Sequence, residues 1–409
     1  MADIDALRAW LDACPTPFHV VDRTASVLRS AGFEQVTGLD GAFPARGFLV
    51  RDGAIAAWSA GDPGAPLRVI GAHTDSPNLR GHPRPSFASH GWDQLGIEIY
   101  GGVLLNSWLD RDLGIAGRTV GRDGSTRLFA VNQPLARVPQ LAIHLDRDVN
   151  ERGVTLDRQQ HLMPVWSTSG TDFREWLSGA AGTDDIVAFD AHLFDTTPSA
   201  VLGADRSLLA SGRLDNQVSC WAAVTALASL GPAGNNCVVI LNDHEEVGSD
   251  STTGASGPML ESVITAMCAH HGLSVSAMHD RLAGGFCLSA DNAHAVHPNY
   301  PERHEPRHAP LVNAGPALKS NGNQRYATSA VGAAFITTVA ERTGVPLQVF
   351  VSRNNMPCGS TIGPITATRL GIQCIDVGVP QLSMHSAREV CGVQDPPRLT
   401  ALMSGFLAA

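Results

Sequence analysis

Nowhere in the 409 residues is there an uninterrupted apolar run of the ~18–20 residues that a membrane-crossing helix requires. The opening segment, MADIDALRAWLDAC, mixes charged and apolar residues at helical spacing. It lacks the basic-then-apolar profile of an export signal, so a cytoplasmic location is expected. Cys-x-x-Cys pairs are missing too. The eight cysteines (Cys14, Cys220, Cys237, Cys268, Cys287, Cys358, Cys374 and Cys391) are scattered singly, several inside apolar runs such as NNCVVIL and GGFCLSA. That usage fits reduced, buried thiols and speaks against a disulfide framework or a sulfur-ligated zinc. Positive charge is in short supply: 29 Lys and Arg stand against 39 Asp and Glu, for a formal net charge of −10. Neither nucleic acid nor an anionic membrane surface is expected as a partner. Lysine in particular is scarce.

What is present is a large apolar fraction, 44% of residues, enough for at least one large core and, at this length, for two domains. Short apolar runs read as strands covered on both faces: LRVIGAH (67–73), NCVVILND (236–243), FCLSAD (286–291), LQVFVS (347–352) and IQCIDVG (372–378). Between them, 215–230, 258–272 and 329–344 carry helical spacing. Alternation of this kind predicts an α/β fold, a three-layer sandwich with helices on both faces of a mixed, largely parallel sheet. From about 86 to 212 the helical alternation fades. IEIYGG, RTVGRDGSTRLFAV and LARVP look like shorter strands, with Asp123-Gly124 as a hairpin turn. The predicted organisation is a discontinuous catalytic domain, 1–85 plus 213–409, carrying a β-rich insert over 86–212.

Several acid- and histidine-bearing loops follow the predicted strands. GAHTDSPNLR offers His73 and Asp75, which taken alone read as a polar strand-end loop; the alternative is a metal ligand with the carboxylate that orients its ring. In SGRLDNQVSC, Asp215 falls where a helix should start, and an ordinary N-cap explains it as well as a ligand does. LNDHEEVGSD places Glu245 and Glu246 at the carboxyl end of a strand, where α/β folds bind ligands. Two adjacent carboxylates held at one site need a cation or a proton between them. Asp291 follows another apolar strand, with His294 and His297 behind it, and His385 comes after the predicted strand IQCIDVG. Separately each is modest. Together His73, Asp215, Glu246, Asp291 and His385 make a nitrogen and oxygen ligand set suited to zinc, manganese or cobalt. Five ligands exceed one tetrahedral site and suit two divalent metal ions sharing a carboxylate, leaving Glu245 unligated as a base.

With these residues in view, the chain resembles the aspartyl aminopeptidase family of co-catalytic di-zinc metallo-aminopeptidases. The resemblance runs from PTPFHVV through AHTDSPNLR, NSWLDRDLGIAGR, LAIHLDRDVNE, GRLDN, HEEVGS, SADNAHAVHPNY, QRYATSA and NMPCGSTIGP to PQLSMHSARE. It implies that Asp215 bridges the metals, that His73 and Asp291 complete one site and Glu246 and His385 the other. Asp75 would orient His73, and Glu245 would be the general acid/base. It further implies that Lys319 meets an acidic substrate side chain and that His144 reaches the active site of a neighbouring subunit. The expected substrates are peptides with a free N-terminus, preferably Asp or Glu. The expected assembly is a homo-oligomer, dimers built through the insert into a tetrahedral dodecamer. The sequence departs from the family at His244, where Asn or Asp is usual. A broad-specificity aminopeptidase or a metal-dependent deacylase with the same metal pair is the nearest alternative, and a non-catalytic scaffold the more distant one.

Overall fold

The run Leu67–His73 is buried at every residue, and it lies at the middle of a nine-stranded sheet. In the computed structural model, which describes residues 3–41, 43–231 and 234–409, the strand order across that sheet is Glu34–Val36, Arg46–Arg51, Ala54–Ser59, Asn236–Asn242, Leu67–His73, Phe286–Ala290, Gln373–Gly378, Ala317–Ser320 and Gln348–Val351. All five apolar runs picked out by composition are strands of this sheet. The four central strands are mutually parallel, and antiparallel neighbours join on either side. Side chains alternate across the pleat and feed two separate cores. Ile70, Ala72, Val239, Leu241, Leu288 and Val377 pack with the helices Ile4–Ala13, Pro17–Ser30, Leu214–Ser229, Ala330–Thr343 and Asp395–Ala408. Val69, Val238, Ile240, Cys287 and Cys374 pack with Met259–His270 and Val275–Ala283 on the opposite face. All eight cysteines are free, and all but Cys358 are buried.

The stretch from Asn78 to Asp195 is β-rich. Its six-stranded sheet runs Thr126–Ala136, Leu113–Val120, Ala188–Asp195, Asn78–Ser89, Trp92–Tyr100 and Val165–Ser167, around a core that includes Leu79, Leu95, Ile115, Phe129, Phe173 and Leu193. Asp123 and Gly124 do form the turn of its 113–136 hairpin. The seam expected at 85/86 falls inside the strand Asn78–Ser89, which follows the loop after His73 and becomes an interior strand of this second sheet. A third, five-stranded sheet pairs Ala200–Leu202 and Leu208–Ser211, from before residue 213, with Glu389–Gly392, Pro380–Leu382 and Ala293–His294 from after it. The two sequence blocks are thus stitched together beside the carboxyl end of the central sheet. Among the described residues no helix is long and apolar enough to cross a membrane.

Candidate metal centre

The parallel strands Leu67–His73, Asn236–Asn242 and Phe286–Ala290 end side by side, so His73, the 243–246 loop and Asp291 emerge at one edge of the sheet. That edge is where an α/β sheet presents ligands. Asp215 arrives from the opposite direction. It is the second residue of the buried helix Leu214–Ser229, yet its φ of −83° and ψ of 108° are not helical, and its carboxylate projects into the same space. His385 comes from the loop after Pro380–Leu382 and adopts a left-handed φ of 67°. Gly378 has no room for a side chain, since a Cβ there would lie 1.9 Å from the Asp291 carbonyl oxygen. Close approach of the two chains at this point fixes Asp291.

The two oxygens of Asp215 face different histidines: Oδ1 lies 3.5 Å from His73 Nε2, and Oδ2 lies 3.5 Å from His385 Nε2. Asp291 Oδ1 stands 3.6 Å from His73 Nε2, and Glu246 Oε2 stands 3.4 Å from His385 Nε2. Two candidate triads, His73–Asp215–Asp291 and Asp215–Glu246–His385, share Asp215, and a third group joins His73, Glu245 and Glu246. These separations are long for hydrogen bonds. They match the ~3.3–3.4 Å expected between two ligands of a tetrahedral zinc with bonds of ~2.0–2.1 Å. Asp215 Oδ1 and Glu246 Oε1 are buried and have no hydrogen-bond partner. The donor set contains no sulfur, and its carboxylates crowd one another, so it fits divalent cations.

Charge alone makes the cluster tense. Burial and then Asp215 push the Glu246 carboxyl well above its ordinary range. Burial likewise lifts Glu245 to about 8, with His73 opposing and Asp291, Asp75 and Asp215 adding to the rise. Burial would raise Asp215 as well, but His385 and His73 hold it well below the usual carboxylate range. Burial disfavours protonated His385, yet Asp215 and Glu246 bring its pKa up to about 10. Divalent cations in these positions would replace the protons and pull all the carboxyls down.

A set of supports fixes the ligands. His73 Nδ1 lies 3.1 Å from the Asp75 carbonyl and 3.3 Å from its Oδ1. The Asp75 carboxylate accepts from Tyr100 Oη at 2.7 Å and from the backbone N–H groups of Glu245 and Glu246 at 3.1 Å each. Glu389, fully buried, accepts from the N–H of Asp215 and the N–H of His385. His385 Nδ1 lies 3.0 Å from the Gly102 carbonyl, which selects the tautomer that leaves Nε2 free for a cation. Tyr100, Gly102 and Glu389 escaped the sequence reading. Tyr100 and Gly102 lie in the run IEIYGG, and Glu389 lies four residues beyond His385, but none of these positions carries a local signal of what it touches.

The remaining candidates divide. Glu245 is half-buried, and one of its carboxylate oxygens lies within 4.8 Å of ligand atoms of His73 and Glu246; among the described residues its side chain forms no hydrogen bond or ion pair. Lys319, the single lysine of the chain, is 2% exposed, with Nζ 3.3 Å from Asp291 Oδ2 and 5.2 Å from the Tyr326 ring centre. Its charge thus abuts a ligand of the cluster. His144 is brought to none of these groups. It sits in the short turn Ile143–Leu145 of the insert, exposed, between Leu141, Ile143 and Leu145 that are exposed as well. His244, the departure noted in the sequence, holds a left-handed φ of 62°, a conformation in which Asn, Asp and His are the enriched side chains. Its Nδ1 lies 2.8 Å from Ser251 Oγ.

Residues 10–407 match the family model described as aminopeptidase I zinc metalloprotease (M18). Over 418 aligned positions, 98% of this chain and 97% of the relative, the sequence is 49% identical to a probable M18 family aminopeptidase 2 of Streptomyces coelicolor. Among solved structures, the M18 aminopeptidase of Thermotoga maritima superposes with a TM-score of 0.87 at 25% identity, covering 99% of this chain and 96% of that one. The mApe1 dodecamer of S. cerevisiae gives 0.84 at 27% identity, covering 98% and 95%.

Proposed function

Because the chain belongs to the M18 family of zinc aminopeptidases, we propose that it removes the N-terminal residue, preferably Asp or Glu, from peptides, using two metal ions and Glu245 as general acid/base. The observation that carries this reading is the division of Asp215 between the two histidines, one oxygen to each. His73, Asp291 and one Asp215 oxygen would hold one divalent ion, most simply Zn2+ with Mn2+ or Co2+ as alternatives. Glu246, His385 and the other Asp215 oxygen would hold the second. When bound, such a pair supplies Lewis acidity and lowers the proton affinity of a water toward neutrality.

The chain's own groups do the rest. Among the described residues Glu245 has no side-chain hydrogen bond or ion pair that would hold its carboxylate away, so it can take the proton of the attacking water and return it to the departing amine. Asp75 is held by four donors around its two oxygens and keeps the His73 ring aimed at the cluster. Lys319 adds a buried positive charge beside Asp291, which favours an acidic substrate side chain at this edge of the site. We further read the architecture as a three-layer catalytic domain with the insert as its dimerisation element. Exposed Leu141, Ile143 and Leu145 around His144 favour contact with a second copy, in which His144 would reach the neighbouring active site within a tetrahedral dodecamer.

An assay with aminoacyl chromogenic amides bearing Asp, Leu or Arg, beside an N-acyl amino acid, tests the reading. Turnover of Asp amide that a chelator abolishes and Zn2+, Mn2+ or Co2+ restores is the expected result. Cleavage of the N-acyl amino acid alone would replace the peptidase by a deacylase.

A further inference from the structure

The helix Pro17–Ser30 packs on the central sheet and also touches the six-stranded one, and the joint between them is crowded with basic side chains. Phe18 of that helix meets the His192 ring edge-on at 5.9 Å, and its own ring centre lies 4.1 Å from the Arg118 guanidinium. Arg118 in turn spans the joint. Its Nε lies 2.7 Å from Asp190 Oδ2 on the neighbouring strand, and its Nη1 lies 2.9 Å from Asp52 Oδ1. Asp52 belongs to the turn between the central-sheet strands Arg46–Arg51 and Ala54–Ser59.

His192 lies at the centre of this joint, on the strand Ala188–Asp195, level with Arg80 on one neighbouring strand and Ala116 on the other. It is 1% exposed, and among the described residues neither ring nitrogen has a hydrogen-bond partner. A neutral imidazole there leaves one donor and one acceptor unmet. A charged one would leave two donors unmet and bury a cation. The groups acting on it are Arg80, His19, Arg118 and His244, all basic. Arg80 stands 3.5 Å over the Tyr100 ring, and its buried Nε has no partner among the described residues. The nearby carboxylates are engaged: Asp190 and Asp52 by Arg118, Asp75 by Tyr100, and Asp243 by the His244 N–H at 2.8 Å. Burial, and then Arg80, hold the His192 imidazole well below its ordinary range. His19, half-buried with Nδ1 2.8 Å from Thr16 Oγ1, is brought by burial down to about 4, with Asp22 opposing and Arg213 assisting.

We propose that this joint is an acid-sensitive latch: with His192 and His19 neutral it holds the helix Pro17–Ser30 against the six-stranded sheet, and protonation of the two imidazoles releases it. An imidazole freed into water takes a proton at about pH 6.5, whereas the closed joint admits one only at lower pH. The closed state is therefore fully favoured above that value. Below it, the closed state loses about tenfold per pH unit for each imidazole. For His19 the loss levels off near pH 4, where the closed joint accepts the proton as well. Arg80 ties the latch to the metal cluster, because the Tyr100 ring beneath it carries the hydroxyl that donates to Asp75.

Hydrogen exchange of the full chain with saturating Zn2+, at pH 7.5 and 5.0 and corrected for the intrinsic pH dependence of exchange, tests the latch. At pH 5.0 protection over 17–30 and 188–195 is expected to fall about 30-fold for one imidazole charged on opening, and about 1,000-fold for both. The central strand Asn236–Asn242 should keep its protection. His192→Phe, which keeps an aromatic ring and cannot titrate, should shrink the loss by about 30-fold, and His19→Gln should do the same for its own share. Equal protection of helix and strand at both pH values, or an equal loss in Asn236–Asn242, overturns the latch on the native chain alone. A loss that persists undiminished in both variants overturns the role of these two imidazoles.

Discussion

The backbone N–H of Asp215 donates to the Glu389 carboxylate at 3.0 Å, so the residue shared by both metal triads is fixed by a buried acid 174 positions away. The other oxygen of Glu389 accepts from His385 N–H at 2.8 Å and from Gln381 Nε2 at 3.2 Å. Burial and the proximity of Asp215 lift the Glu389 pKa to about 8, and the donors work against that rise. Removing this acid should loosen the ligands without removing any of them. Glu389→Ala is expected to weaken metal affinity about 10- to 100-fold. Titration against a competing chelator reads this directly, and native affinity in the variant would reduce Glu389 to a core residue.

Glu245→Gln should keep both metals and lose about 100- to 10,000-fold in kcat, the range for a positioned general acid/base. Elemental analysis beside steady-state kinetics separates the two effects. A variant with near-native kcat would remove Glu245 from proton transfer.

Asp215→Ala should deplete both metal positions together, because each histidine loses its shared partner. Asp291→Ala, which touches only the His73 side, should spare the other position. Equal metal content in the two variants would contradict a bridging role.

His244 makes a prediction about stability. A β-branched residue in a left-handed backbone costs about 1–2 kcal/mol, whereas Asn adopts it readily. His244→Val should therefore lower the unfolding free energy by roughly that amount. His244→Asn should remain within about 0.5 kcal/mol of the native chain in urea titration. Equal losses would place the cost in the Ser251 contact instead of the backbone.

Much of this site was legible because strongly apolar strands point to their own ends. The run NCVVILN is buried throughout, so whatever follows it, here Asp243 to Glu246, had to emerge at the sheet's edge. Asp215 was visible as a helix-start residue, but its non-helical ψ, which turns the carboxylate toward His73, is imposed by tertiary packing. The strand Asn78–Ser89, which contains positions 85 and 86, went unread for a local reason. Asn78–Ser89 contains Pro83 and Pro85, and its pairing slips between Gly81 and Ser86, so it lacks the clean alternation that marks a strand. Tyr100, Gly102 and Glu389 could not be read at all, since each acts on a partner far away in sequence. The Lys319–Asp291 pair belongs with them: scarcity drew attention to the lysine, but only the fold shows which charge it meets.

Four residues, Thr74 to Pro77, separate the strand Leu67–His73 from Asn78–Ser89 of the six-stranded sheet. Tyr100 and Gly102, at and just after the end of the strand Trp92–Tyr100 of the same sheet, grip the orienting side of each histidine, one through Asp75 and one directly. The six-stranded sheet is therefore a gauge block for the candidate metal cluster as well as an appendage to the central sheet. A miniature made by excising 86–212 would keep every ligand in its sequence and lose the tolerance to which those ligands are set.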